Sequence, residues 1–163
     1  MTSGATYTPI ATTTLGSAVA SYTFSSIPST YTDLFVVVNG AATSGSTSNI
    51  TLQYNGDTTS GLYSATRVLG DGTSASSARS SGANYAQIGD TSTDRFVCTV
   101  NIMNYLSTSV YKTALSRSNS QSYLSAYVSL WRNTNAITSI TIGMSGQSLA
   151  AGTTLSLYGI ASA

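Results

Sequence analysis

The stretch SSIPSTYTDLFVVVNG, residues 25–40, decides the fold. A polar lead-in marked by Pro28 runs into five consecutive apolar residues, Leu34 to Val38, and stops at Asn39-Gly40. An apolar run this short, bounded by turn residues and rich in valine, reads as a strand rather than a helix. Its unbroken apolar character predicts a central strand covered on both faces. Asp33, just ahead of the run, is placed to accept backbone N–H bonds.

Outward from this strand the same grammar repeats. Val19 to Phe24 alternates apolar and small polar residues. Asn49 to Tyr54 puts Ile50, Leu52 and Tyr54 on one face, and Asn55-Gly56-Asp57 then supplies turn chemistry. Further strands are predicted over Tyr63 to Leu69, Tyr85 to Gly89, Tyr111 to Leu115, 122–131, Ile137 to Met144 and Thr153 to Tyr158. Phe96 to Ile102 alternates strictly, with Phe96, Cys98, Val100 and Ile102 together. GDGTSASSARSSGAN, residues 70–84, lacks periodicity and reads as a long loop. Apolar residues nowhere recur at helical spacing over three turns. The prediction is an all-β, antiparallel, jelly-roll-like β-sandwich: one domain over 18–163, preceded by an extended arm over 1–17. That arm, Thr-rich and broken by Gly4, Pro9 and Gly16, carries edge-strand chemistry near Tyr7 to Ile10.

Composition narrows the function. Of 163 residues 41% are hydrophobic, enough for a core, and 7% are charged, against about 25% in ordinary domains. Ser and Thr number 56, so the polar surface is mostly hydroxyl. Six basic and five acidic residues are scattered singly, with a net charge of +1. No basic stripe exists for nucleic acid, and no apolar run is long enough for a membrane helix. The start lacks the basic and apolar regions of a secretory signal and reads as a native beginning at Met1. A hydroxyl-rich surface without an export signal fits a particle assembled in the cytosol and released by lysis.

Enzymatic apparatus is sparse. Without histidine, the usual general base of serine and cysteine catalysis is missing. One cysteine, Cys98, rules out an internal disulfide and a cysteine zinc site, and its apolar neighbours predict a buried, inert thiol. No metal or cofactor is expected. Asp90 and Asp94 could pair as in glycosidases, but GDTSTDR is ordinary turn sequence. Lys112 reads as a solvated amine, and the Asn49-Ile50-Thr51 sequon has no secretion signal to give it meaning.

SYLSAYVSLWR, residues 122–132, stands apart. On a strand, Leu124, Ala126, Val128 and Leu130 share one face, and Tyr123, Tyr127 and Trp131 share the other, spaced by serines. The aliphatic face is assigned to the core. The aromatic face is assigned to a subunit contact, with a sugar-stacking platform as the alternative.

Several segments together resemble a family of small surface proteins from tailed phages of the marine and cyanobacterial type. ASYTFSSIPSTYTDLFVVV is similar to its "I-P-x-T-Y-T-D-L" lead-in and strand. LQYNGDTTSGLYSATRVLGDGTSASSAR resembles its "N-G-D" hairpin and following loop. NIMNYLSTSVYKTALSR resembles an "N-Y…K-T" segment, and LWRNTNAITSITIGMSGQSLAAGTTLSLYGI its closing "W…A-I…L-Y-G-I" section. Leu149 stands where Phe is common and Thr153 where Ser is common. The resemblance spans residues 18 to 160 and implies a β-rich, trimeric virion surface component without catalytic residues. Members occur as capsid decoration or cement proteins and as end domains of tail fibres. The expected partners are the major capsid protein and copies of the chain itself; a host surface glycan is the partner under the fibre-tip reading. Tyr7, Pro9 and Ile10 are the candidate lattice-contact arm. Trp131, Tyr158 and Ile160 are expected to pack together.

Overall fold

The computed structural model describes residues 6–44, 47–91, 95–121 and 123–161. Its elements are all strands: β1 Tyr7–Thr14, β2 Ser21–Phe24, β3 Asp33–Ala41, β4 Ser48–Tyr54, β5 Tyr63–Gly70, β6 Ala75–Ala83, β7 Ala86–Thr91, β8 Arg95–Met103, β9 Lys112–Asn119, β10 Leu124–Trp131, β11 Ile140–Met144 and β12 Thr154–Ile160. They pair antiparallel into two sheets, ordered β1-β12-β3-β8-β9-β10-β5-β6 and β2-β11-β4-β7. With the hairpins β5–β6 and β9–β10 set aside, two four-stranded sheets remain, β1-β12-β3-β8 and β2-β11-β4-β7. Through that reduced series the chain changes sheet at every step except β4 to β7, which is the jelly-roll winding. Both inserted hairpins add beyond β8 and widen one sheet to eight strands.

The core lies where the two four-stranded sheets face each other. Leu34, Val36 and Val38 of β3, Val100 and Ile102 of β8, and Leu155 and Leu157 of β12 meet Ile50 and Leu52 of β4 and Ile140 and Ile142 of β11. β3 is central, between β12 and β8, as the opening stretch predicts. Its second face is only half covered. Phe35 lies beside Tyr7 (ring centroids 5.4 Å apart) and Tyr158 (6.5 Å) on the outside of the sheet, with no second sheet above it among the described residues. Tyr31 of the lead-in packs over Gly159, where a β-carbon would collide with its ring.

The arm expected over 1–17 is corrected over its described part, while the edge strand expected near Tyr7 to Ile10 is present. Tyr7–Thr14 is the first strand of the jelly roll, paired with β12 from Tyr7↔Ile160 to Thr14↔Thr154. Pro9 is tolerated because β1 is an edge strand and leaves one side without a ladder partner. Leu15 follows into the core at 8% exposure. The loop expected over 70–84 is largely strand β6. Only its first residues turn, with Asp71 Oδ1 accepting the N–H of Thr73 (2.9 Å) and of Ser74 (2.7 Å). β6 lacks apolar periodicity because it is an edge strand exposed along most of its length.

Candidate functional site

The inserted hairpins invert the assignment made for residues 122–132. Ser125, Tyr127, Ser129 and Trp131 point inward, while Leu124 is 65% and Val128 50% exposed. Tyr127 and Trp131 therefore form no outward aromatic platform for a subunit or a stacked sugar; Tyr123, half-buried, precedes the strand. The cause lies across the gap. The inner face of β9 and β10 meets β7, an edge strand whose one sheet neighbour is β4. The free backbone groups of that edge need partners. Serines provide them: Ser129 Oγ donates to Gln87 O (2.5 Å), and Asp90 N donates to Ser118 Oγ (3.1 Å) and Ser125 Oγ (3.4 Å). The thiol of Cys98 donates to Ile88 O at 3.3 Å; it is fully buried as expected, and burial pushes its pKa up to about 12. Gly89 is required here, since a β-carbon would lie 2.7 Å from Ser118.

Asp90 is the charged member of this network. Its Oδ1 accepts Arg67 Nη1 at 2.6 Å and its Oδ2 accepts the Tyr127 hydroxyl at 2.6 Å. Burial, reinforced by the Asp90 bond, pushes the Tyr127 phenol well above its usual range. Asp90 is 2% exposed, whereas the Arg67 side chain is 30% exposed. Asp94, the other half of the suggested carboxylate pair, lies outside the described residues.

At one end of the sandwich Trp131 stacks on Tyr63 (6.3 Å) and contacts Tyr54 (5.3 Å), and its Nε1 donates to Asp57 Oδ2 at 2.9 Å. Burial alone would raise the Asp57 pKa, but hydrogen bonds from Thr59, Trp131 and Asn133 outweigh it and hold the carboxyl below its ordinary value. Asn55, at φ 54°, caps the loop before β11 through Oδ1, which accepts Thr138 N (2.8 Å) and Ser139 N (3.1 Å). Tyr158 and Ile160 do not join Trp131: they lie on β12, separated from β10 by three intervening strands, β3, β8 and β9.

Lys112 is also not the solvated amine expected. It is fully buried, and Nζ donates to the carbonyls of Ser107 (2.5 Å), Val110 (3.1 Å) and Thr134 (3.0 Å). Burial draws its pKa below the ordinary lysine value. Its position just inside β9 aims it under the turn beneath it, and three carbonyls occupy its three donors.

The outer face of the widened sheet is the surface these inversions create. Its register rows run Val97–Asn119–Leu124, Thr99–Arg117–Ala126–Val68 and Asn101–Leu115–Val128–Thr66. Val68, Val97, Leu115, Leu124 and Val128 are 42–65% exposed, and Arg117 is the one charge in these rows. Of this surface only the face of Leu124, Ala126 and Val128 is assigned to the core by the sequence, because alternation alone does not tell which side of a strand has a partner. Arg67 and Gln87 carry no motif, and Asn49 stands out in the sequence only as the first residue of a sequon, not as a ligand contact.

No family model matches the chain, and no curated protein matches it. Among solved structures, it is similar to an exo-inulinase from Aspergillus awamori, at 16% identity over 94% of this chain and a TM-score of 0.45. The chain spans 29% of that enzyme. It is also similar to a tetrameric galectin from the ball sponge Cinachyrella sp., at 13% identity over 86% of this chain and 99% of that chain, with a TM-score of 0.37.

Proposed function

We propose that the chain is a non-catalytic structural protein of a tailed-phage particle, a decoration protein that docks on the assembled head and stabilises it. The observation that carries this reading is the exposed aliphatic face of β8, β9, β10 and β5. A contiguous apolar patch marks an interaction surface rather than a solvated one. The order of motif segments resembling phage surface proteins supplies the occupant: neighbouring subunits of the head lattice, with copies of this chain completing a trimer. Tyr7 and Phe35 extend the same face towards β1, so a lattice contact at the N-terminal strand would be made as part of a sheet and not as a free arm.

The carboxylates support a structural role. Asp33 accepts Asn104 N (2.7 Å), Asp57 accepts Trp131, Asp71 caps its own turn and Asp90 holds Arg67 and Tyr127. Jelly rolls serve capsids and lectins alike, so the fold does not choose between them. A protein that binds the assembled lattice and not its free subunits stabilises the particle by mass action. With one charge in the contact rows, that binding is expected to survive high salt.

Particles lacking the protein test the reading. They should assemble, burst at lower temperature and recover when purified protein is added in molar salt. Unchanged robustness together with failed adsorption to host cells would replace decoration with a tail-attached receptor-binding tip.

A further inference from the structure

We propose that the cleft at the flank of the sandwich, beside edge strand β7, binds the carboxylate of an acidic sugar. The cleft has a volume of about 170 Å³ and is lined by Asn49, Arg67, Ser80, Gln87 and Tyr127, with Arg79 at its β6 side. A guanidinium carries five N–H donors. Two of these, on Nη1 of Arg67, go to Asp90 Oδ1 (2.6 Å) and the Tyr127 hydroxyl (3.5 Å). The three on Nε and Nη2 have no acceptor among the described residues, and the side chain is 30% exposed. That remaining edge is the planar fork that pairs with a carboxylate through two parallel hydrogen bonds.

Asp90 holds the fork in place without competing for the ligand. It is 2% exposed, and both its oxygens are already bonded, to Arg67 and to Tyr127. Arg79 pairs with outward-facing Thr66, so Arg67 is the cation of the cleft, and with both Asp90 oxygens taken its remaining N–H donors are left for an anionic ligand. The side-chain amides of Asn49 and Gln87 and the hydroxyl of Ser80 also lack partners among the described residues. A simple carboxylate needs only the fork. Three further neutral donors and acceptors around it match the ring hydroxyls of a sugar acid. The volume lies below the roughly 300–1,000 Å³ of drug-sized sites, so one sugar unit fits and a polymer would continue into solvent.

This proposal does not depend on the decoration reading. Arg67 faces inward on β5 while Thr66 and Val68 face outward, so a copy docked through its outer face leaves the cleft on the opposite side of the strand.

Titration of the full chain with glucuronate, followed by amide NMR, tests it. Glucose, acetate and an oligouronate serve as comparisons. Saturable shifts should appear at Arg67, Ser80 and Gln87, with glucose, which lacks the carboxylate, and acetate, which lacks the ring hydroxyls, each weaker by about tenfold or more: glucose loses the charge-assisted pair and acetate loses several neutral hydrogen bonds. Arg67→Lys keeps a cation beside Asp90 but loses the fork and should weaken glucuronate by a similar factor. Gln87→Ala, which leaves the Arg67–Asp90 contact intact, should weaken it several-fold and covers the case in which Arg67→Lys does not fold. An oligouronate that binds tighter than glucuronate identifies a polymer as the source; equal affinity identifies a free or terminal sugar acid. Absence of saturable shifts, acetate binding as tightly as glucuronate, or unchanged affinity in a folded Gln87→Ala would overturn the proposal. None of these outcomes bears on the heat stability of particles, so the two readings fail separately.

Discussion

On the jelly-roll side of the large sheet, β3 and β8 send aliphatic side chains inward; on the inserted side, β9 and β10 send serines inward and leucine and valine outward. The strands are continuous neighbours in one sheet, yet the hydrophobic rule holds for one half and reverses in the other. The difference lies in what stands opposite. β3 and β8 face the apolar side chains of β4 and β11, so burial there removes hydrocarbon from water. β9 and β10 face the backbone edge of β7, where an aliphatic side chain would strand N–H and C=O groups and a serine satisfies them. Sidedness in a strand is decided by the partner and not by the side chain alone.

Substitutions in the two halves should therefore respond in opposite ways. The largest effect belongs to the jelly-roll half. Ile102→Ala, at a fully buried position, should cost about 3 kcal/mol by denaturant unfolding, as cavity-forming changes do. Next is a change that hydropathy alone would call favourable. Ser118→Val should destabilise by about 2 kcal/mol, because it crowds Gly89, removes the nearer of the two acceptors of Asp90 N and breaks the hydroxyl contact with Ser125. A Ser118→Val variant more stable than the parent would erase the distinction between the halves.

A smaller effect concerns pH. The folded pKa of Asp57 is depressed, so its contribution is fully present above the unfolded value of about 3.9 and is lost as pH falls through the folded value. Unfolding of the parent at pH 3 and pH 6 should show that loss. Asp57→Asn should be less stable at pH 6 and lose less on acidification, with residual dependence from Asp71, whose carboxyl is also held low by its turn. Equal pH dependence in both proteins would remove Asp57 from the account of the Trp131 cluster. The smallest change is on the outer face, where Leu124→Ser should alter monomer stability by no more than about 0.5 kcal/mol while weakening particle binding.

The sequence made the jelly-roll half legible because its alternation and its burial agree. Phe96 through Ile102 is read correctly from its period, and Leu34 to Val38 is read as a central strand from its unbroken apolar run, with the cover on its second face overestimated. β1 escaped as a strand of the domain because threonine and proline are weak apolar signals, and its partner β12 lies at the far end of the chain. β6 escaped because an exposed edge strand of serine and alanine has no buried face to pattern. The Asn55 and Asp57 turn was visible as turn chemistry, but its reach to Thr138 and Trp131 was not, since those contacts close over long separations. The burial of Lys112 left no apolar signal because main-chain carbonyls hold it, two from the turn just before it at Ser107 and Val110 and one from the distant loop at Thr134. The cleft around Arg67 depends on strands β4, β5, β6, β7 and β10 and left no local trace.

Thiol accessibility tests the inversion most directly. Cys98 is fully buried and should stay silent towards a thiol reagent in the folded protein, so an introduced cysteine can be followed alone. The measurement is the labelling rate of Leu124→Cys and Ser125→Cys, adjacent positions on opposite faces of β10, at a dilution where the chain sediments as a monomer. The inverted arrangement predicts prompt labelling of Leu124→Cys and labelling of Ser125→Cys only on unfolding. Prompt labelling of Ser125→Cys with protection of Leu124→Cys would contradict it.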